Sequence, residues 1–195
     1  MYKLLLLLTV VTLFAGCQKE RDKNPGDPET HPPMTYTDLN DAQLQFGGSK
    51  SLDIDANGSV DFHFHTLYVG DALLRRDRKQ YYITSGIGVN LLNDANDQSP
   101  VLQKGDGVKR IHPGYDWWQI SSIVLAEKII PEGAAEFWQG NWKNVSHKYI
   151  PVQLMKDEKP YHGWIEVSFD TFTEKLLLHR AGICTLPDVE IKAGY

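Results

Sequence analysis

Nine consecutive residues hold the chain's densest set of hard oxygen donors: Asp53-Ile54-Asp55-Ala56-Asn57-Gly58-Ser59-Val60-Asp61. The pattern is D-x-D-x-N-G-x-x-D. Calcium takes about six to eight oxygen ligands, and donors at alternate positions of a tight loop converge on one point. Asp53, Asp55, Asn57 and Asp61 would give side-chain oxygens, and Ser59 its backbone carbonyl. Gly58 permits the left-handed turn that brings them round. The same residues suit a metal-free turn. Asn-Gly between β-rich segments is a hairpin signal, and Asp and Asn side chains close turns on their own backbone. The sequence leaves both readings open. In either one the loop is structural, because no paired acid and base accompanies it.

The first nine positions equal those of an EF-hand loop, but the twelfth, which needs a bidentate Glu, is Phe64. No helical pattern precedes Asp53, and strand-like sequence follows Asp61. The match is closer to the Asp-rich turns that join strands in secreted β-proteins. His63 and His65 share a strand face with Asp61, a set able to hold a transition metal. However, Phe62 and Phe64 point the other way and mark the core face, which leaves the histidines on the wet face. His31, His112, His147, His162 and His179 are scattered without ligand spacing.

Trp117, Trp118, Trp138 and Trp142 are the second group of interest. Flat aromatic rings stack on the apolar faces of sugars, and they also fill cores. Adjacent Trp117 and Trp118 cannot both point inward from one strand. There is no G-x-S-x-G elbow and no H-E-x-x-H motif. No carboxylate spacing marks a glycosidase pair. No catalytic residue is assigned.

The elements that must position these groups are strands. Leu44 and Phe46 alternate with Gln43 and Gln45, and Val60, Phe62 and Phe64 alternate with Asp61, His63 and His65. Tyr81 to Val89 is β-rich, with Gly86 and Gly88 inside it. Tyr149 to Leu154 and Trp164 to Phe169 read as a hairpin joined through the five polar residues 156–160. Leu176 to His179 and Val189 to Lys192 close the domain. Ser121 to Ile130 fits one helix or one buried strand, and Ala134 to Trp138 fits a turn of helix. The fold class is mainly β: a single-domain antiparallel β-sandwich, or else a small β-barrel, with at most one or two short helices.

Hydrophobic content of 42% and aromatic content of 11% are those of a globular domain. The net charge of −5 and the lack of a basic stripe give no footprint for nucleic acid. Lys3, the apolar run Leu4 to Phe14 and the small residues before Cys17 form a secretory signal, too short to span a bilayer. Phe14-Ala15-Gly16-Cys17 resembles the bacterial lipobox. That resemblance implies that residues 1–16 are removed and that Cys17 is acylated, so the membrane is a partner through a lipid anchor. Cys184 is then left without a disulfide partner and reads as a small buried hydrophobe. Residues 17–36 carry four prolines and many charges and read as an extended, disordered tether. Gln18-Lys19-Glu20 resembles the short charged export signal of Bacteroidota-type surface lipoproteins. The β-domain is then 37–195.

Lys148-Tyr149-Ile150, Tyr161-His162-Gly163-Trp164-Ile165 and Ile191-Lys192-Ala193-Gly194 resemble a pattern of secreted bacterial proteins in which an Asp-x-Asp-x-Asn-Gly hairpin comes earlier in the chain. The resemblance covers about 150 residues and implies an exported, compact β-domain without implying an activity. Gly163 is expected to leave room for a neighbouring ring. The expected protein is an outer-membrane lipoprotein of the bacterial cell envelope. Its role is non-catalytic, binding a glycan or a surface protein, with calcium as a structural cofactor. The alternatives are a small hydrolase acting on surface polysaccharide or peptide, and an accessory subunit whose strand edge pairs with a larger partner.

Overall fold

The computed structural model of the chain describes residues 31–195. The expected signal segment 1–16, the lipidation site Cys17 and tether residues 17–30 lie outside the described residues. The described residues form thirteen strands and no helix. The first seven are β1 (Met34–Leu44), β2 (Ser49–Leu52), β3 (Phe62–Asp71), β4 (Arg76–Ser85), β5 (Val89–Asn93), β6 (Gly107–Val108) and β7 (Asp116–Gln119). The rest are β8 (Ser122–Pro131), β9 (Phe137–Gln139), β10 (Val145–Lys156), β11 (Lys159–Asp170), β12 (Lys175–Cys184) and β13 (Ile191–Lys192).

They build two open antiparallel sheets packed face to face, a β-sandwich. One runs β1-β12-β11-β10-β5-β7 and the other β2-β3-β4-β8-β9, with β13-β6 as a small extra ladder. Neither main sheet closes on itself, so the barrel alternative does not hold. Period-two patterning explains the core. Ile150, Val152, Ile165, Val167, Phe169, Leu176 and Leu178 of the six-stranded sheet meet Phe62, Phe64, Tyr81, Ile83, Ile123 and Leu125 of the other. Each fully buried side chain of this size is worth about 1.5–3 kcal/mol. Trp164, Tyr149 and Cys184 face outward from the six-stranded sheet, where Val108, Ile191 and Ala193 of the C-terminal ladder cover them. Cys184 is thus the buried hydrophobe that the sequence suggested.

Several local expectations need correction. Of the two readings of 121–130 the buried strand holds and the helix does not: Ser122–Pro131 form β8, an interior strand between β4 and β9. The turn of helix expected at 134–138 is absent, and Phe137–Gln139 pair instead with β8 as β9. The ordered domain starts before residue 37, because Met34, Thr35 and Tyr36 pair with Cys184, Ile183 and Gly182. Val60 and Phe46 lie outside the strands and are exposed. Tyr81 to Val89 is two strands, broken after Ser85. The β10–β11 hairpin turns on two residues, Asp157 and Glu158, with φ of 48° and 62°. Such mirror-image turns match the twist of paired strands. A Cβ on Gly163 would meet the Gly182 carbonyl at 2.6 Å, so the absent side chain admits backbone; Gly182 is the residue that makes room for a ring, that of Trp164.

Candidate functional site

The Asp-rich segment is the connection of the β2–β3 hairpin, closed by the Leu52–Phe62 pair. Asp53, Asp55 and Asp61 each bring a carboxylate oxygen within 4.8 Å of the others, and the triad could hold a metal ion. The backbone arranges it. Asp53 Oδ1 and Oδ2 accept the Asn57 and Gly58 N–H groups at 3.1 and 2.7 Å. Asp61 Oδ2 accepts the buried Ile54 N–H at 2.8 Å. Asn57 Oδ1 accepts the Ser59 N–H at 2.7 Å, so it serves the turn. Burial, and then the charges of Asp55 and Asp53, push the Asp61 carboxyl above its ordinary pKa. Lys156 Nζ sits 2.6 Å from Asp55 Oδ2 and supplies one positive charge. The hard-oxygen donor set fits calcium. The ion would share or displace the Lys156 ammonium.

His63 and His65 face away from the core as expected. His63 Nδ1 meets Ser51 Oγ at 3.1 Å, and His65 packs edge-on to Tyr82. Burial lowers the His65 pKa.

The four tryptophans are not one platform. Trp142 is fully buried in the main core, and Trp138 packs against that core from β9, at the edge of the five-stranded sheet. Trp117 and Trp118 lie on β7, at the edge of the six-stranded sheet. Trp117 turns toward the second core, with its Nε1 donating to the Lys109 carbonyl at 3.2 Å. Trp118 turns outward and is 56% exposed. It borders a recess of about 530 Å³ with Asp94, Asp97, Arg110 and Asp116. One wall is preorganised: Asp94 Oδ1 accepts the Asn96 and Gln98 N–H groups at 2.8 and 2.9 Å. Those bonds, that of Gln98 first, hold the Asp94 carboxyl below its ordinary pKa. His112 also lines the recess, and its Nε2 accepts the Lys109 N–H at 3.1 Å.

A third cluster had no signal in sequence. Register slips line up across the sheet: β10 slips against β11 between Val145 and Lys148, β11 against β12 between Glu166 and Val167, and β1 against β12 between Asp38 and Ala42. A bulge inserts an extra residue and re-aims side chains. Across the β12 bulge the core contacts pass from Leu178 to Ala181, so His179 and Arg180 both face outward. His147 and Asp41 take positive φ at the β10 and β1 bulges, 49° and 50°. The result is a groove of about 400 Å³ lined by Asp41, His147, Glu166, His179 and Arg180 among others. Glu166 Oε2 accepts Arg180 Nε at 2.7 Å, and its Oε1 meets His147 Nδ1 at 2.8 Å. Burial acts to raise the Glu166 pKa, but these two partners outweigh it and hold the carboxyl below its ordinary value.

Comparison of the chain with protein-family models, with curated proteins and with solved structures gave no match.

Proposed function

We propose that this chain is a lipoprotein of the bacterial outer membrane, acylated on Cys17, whose β-sandwich binds a carbohydrate chain in the recess beside Trp118. The observation that carries the reading is the exposed Trp118 indole among Asp94, Asp97, Arg110 and Asp116. A sugar ring offers an apolar C–H face and a rim of hydroxyls. The indole suits the face, and carboxylate and guanidinium groups suit the rim. Recesses of about 300–1,000 Å³ with a few convergent polar groups are typical of small-ligand sites. No reaction is assigned to this recess. In the same reading the Asp53–Asp61 loop takes calcium as a structural ion.

Affinity electrophoresis of the full chain through gels containing neutral and acidic polysaccharides tests the binding. Retardation by at least one polysaccharide, abolished in Trp118→Ala, is expected. Equal migration of the two proteins in every gel sinks the carbohydrate reading. For the anchor, wild type should take up labelled palmitate and sediment with membranes, and Cys17→Ala should do neither. Palmitate uptake by Cys17→Ala would refute acylation at that residue.

A further inference from the structure

We propose that Asp41, His179 and Ser168, brought together by the aligned bulges, form a hydrolytic array for acyl esters. The proposal stands apart from the carbohydrate recess and does not depend on it.

The three groups form one directed chain. The Ser168 Oγ lies 2.7 Å from His179 Nε2, and His179 Nδ1 lies 2.5 Å from Asp41 Oδ1. The Ser168 Oγ also accepts the His147 backbone N–H at 2.9 Å. With Nδ1–H given to Asp41, His179 Nε2 is the acceptor for the Ser168 hydroxyl hydrogen. Asp41 accepts from Nδ1–H, which fixes the tautomer with a basic Nε2. The His147 ring stacks on His179 with centroids 4.2 Å apart and 20° between planes, which holds the imidazole in that plane. Nucleophile, base and orienting carboxylate are recognised by these mutual distances and not by chain order. Ser168 is half-buried on β11, and its partner His179 lines the groove.

The step balances without a co-reactant other than water. The Ser168 Oγ attacks the ester carbonyl carbon while its proton passes to His179 Nε2. The carbonyl electron pair moves to oxygen and returns as the bond to the leaving alkoxide breaks. The alkoxide leaves with the proton from His179. Water then attacks the acyl-serine, gives its proton to His179, and releases the carboxylic acid as that proton returns to Ser168. Arg180 uses Nε on Glu166 and one Nη2 hydrogen on the Gly194 carbonyl, leaving further guanidinium N–H groups in the groove for the oxyanion. An ester is the substrate class because its alkoxide departs more readily than an amide's amine, and one cationic donor suffices.

The test uses the full chain with p-nitrophenyl acetate and with a fluorophosphonate that phosphonylates activated serines. The expected results are a phosphonyl adduct on Ser168 by peptide mass spectrometry and ester hydrolysis above the buffer rate. Asp41 is a positioning residue whose side chain is exposed at the β1 bulge, so Asp41→Asn should fold normally. It should lower kcat by at least tenfold with KM little changed. Ser168→Ala should abolish hydrolysis; if that variant fails to fold, the adduct and Asp41→Asn decide. No adduct on Ser168 in folded protein, or hydrolysis indifferent to Asp41→Asn, would overturn the proposal and leave the array as a polar brace for the bulges.

Discussion

Lys156 Nζ lies 2.6 Å from Asp55 Oδ2, so a side chain of the six-stranded sheet caps an acidic loop that belongs to the five-stranded sheet. The Asp55 side chain is only 5% exposed, whereas Lys156 is 48% exposed. Burial acts to raise the Asp55 carboxyl, but Lys156, as hydrogen-bond partner and as charge, outweighs it and holds the group below its ordinary pKa. The ammonium thus does part of the work of a bound cation. Lys156→Met leaves three converging carboxylates with no counter-charge. With chelator, the variant should be less stable by about 1–2 kcal/mol, the buried-pair cost reduced for the exposure of the lysine. Millimolar calcium should then raise its thermal midpoint more than that of the wild type. If calcium moves neither midpoint, the loop is a metal-free turn.

His162 should make the sandwich acid-sensitive. It is 1% exposed, and its Nδ1 meets the Val189 carbonyl at 2.9 Å. Its Nε2 faces Gln153 Nε2 at 3.3 Å, and Gln153 Oε1 accepts Asn90 Nδ2 at 2.7 Å. That arrangement needs a neutral ring donating from Nδ1. Burial is the first cause of its lowered pKa. Because the folded pKa lies below the unfolded one, the unfolded chain binds the proton first. The contribution to stability is therefore full above the ordinary histidine pKa of 6.5 and is lost as pH falls through the folded pKa. Thermal midpoints taken across that range should fall with acid, and less steeply in His162→Gln. Parallel slopes in the two proteins would rule His162 out as the cause.

Trp118 and Trp142 should separate binding from stability. Trp118→Ala removes an exposed ring and should change unfolding free energy by no more than about 0.5 kcal/mol. Trp142→Ala empties a fully buried site and should cost about 3–5 kcal/mol. Urea unfolding followed by far-ultraviolet circular dichroism measures both. A large loss in Trp118→Ala would mean that its ring supports the fold, and the recess would lose its main ligand-facing group.

Gly163→Ala should be costly although the change is one methyl. The new Cβ would sit 2.6 Å from the Gly182 carbonyl and 2.8 Å from Ile183 Cδ1. Backbone in a paired ladder cannot yield as a side chain can, so a loss of about 1–3 kcal/mol is expected. The urea midpoint should drop with the slope unchanged. An unchanged midpoint would show that β11 and β12 can separate freely at this point.

Much of the sandwich is legible in the sequence because half-buried strands advertise themselves by alternation. Phe62 and Phe64, and Val152 and Leu154, reach the core as their spacing indicates. Ser122–Pro131 is ambiguous because it is buried on both faces, and a continuous apolar run has no period to read. Met34–Tyr36 look like tether because an edge strand is held largely by backbone bonds, which leave no side-chain signature. The Asp-rich loop is visible because its donors are consecutive. Its cap, Lys156, is about a hundred positions away, and no local rule connects the two. The groove is the hardest case. Asp41, His147, Ser168 and His179 meet only because three register slips fall at one level, and a slip in pairing leaves no pattern in either strand's sequence.

The slip in β1 bears on how copies of this chain could meet at a sheet edge. β1 ends the six-stranded sheet, and its outer rim is a run of backbone groups that another chain could join. Between Asp38 and Ala42 that run is interrupted, with Asn40 and Asp41 both left-handed and two carboxylates at the break. A neighbouring copy finds no straight ladder longer than half the strand. The irregularity that carries Asp41 to His179 therefore also works against edge-to-edge pairing of copies into fibrous aggregates.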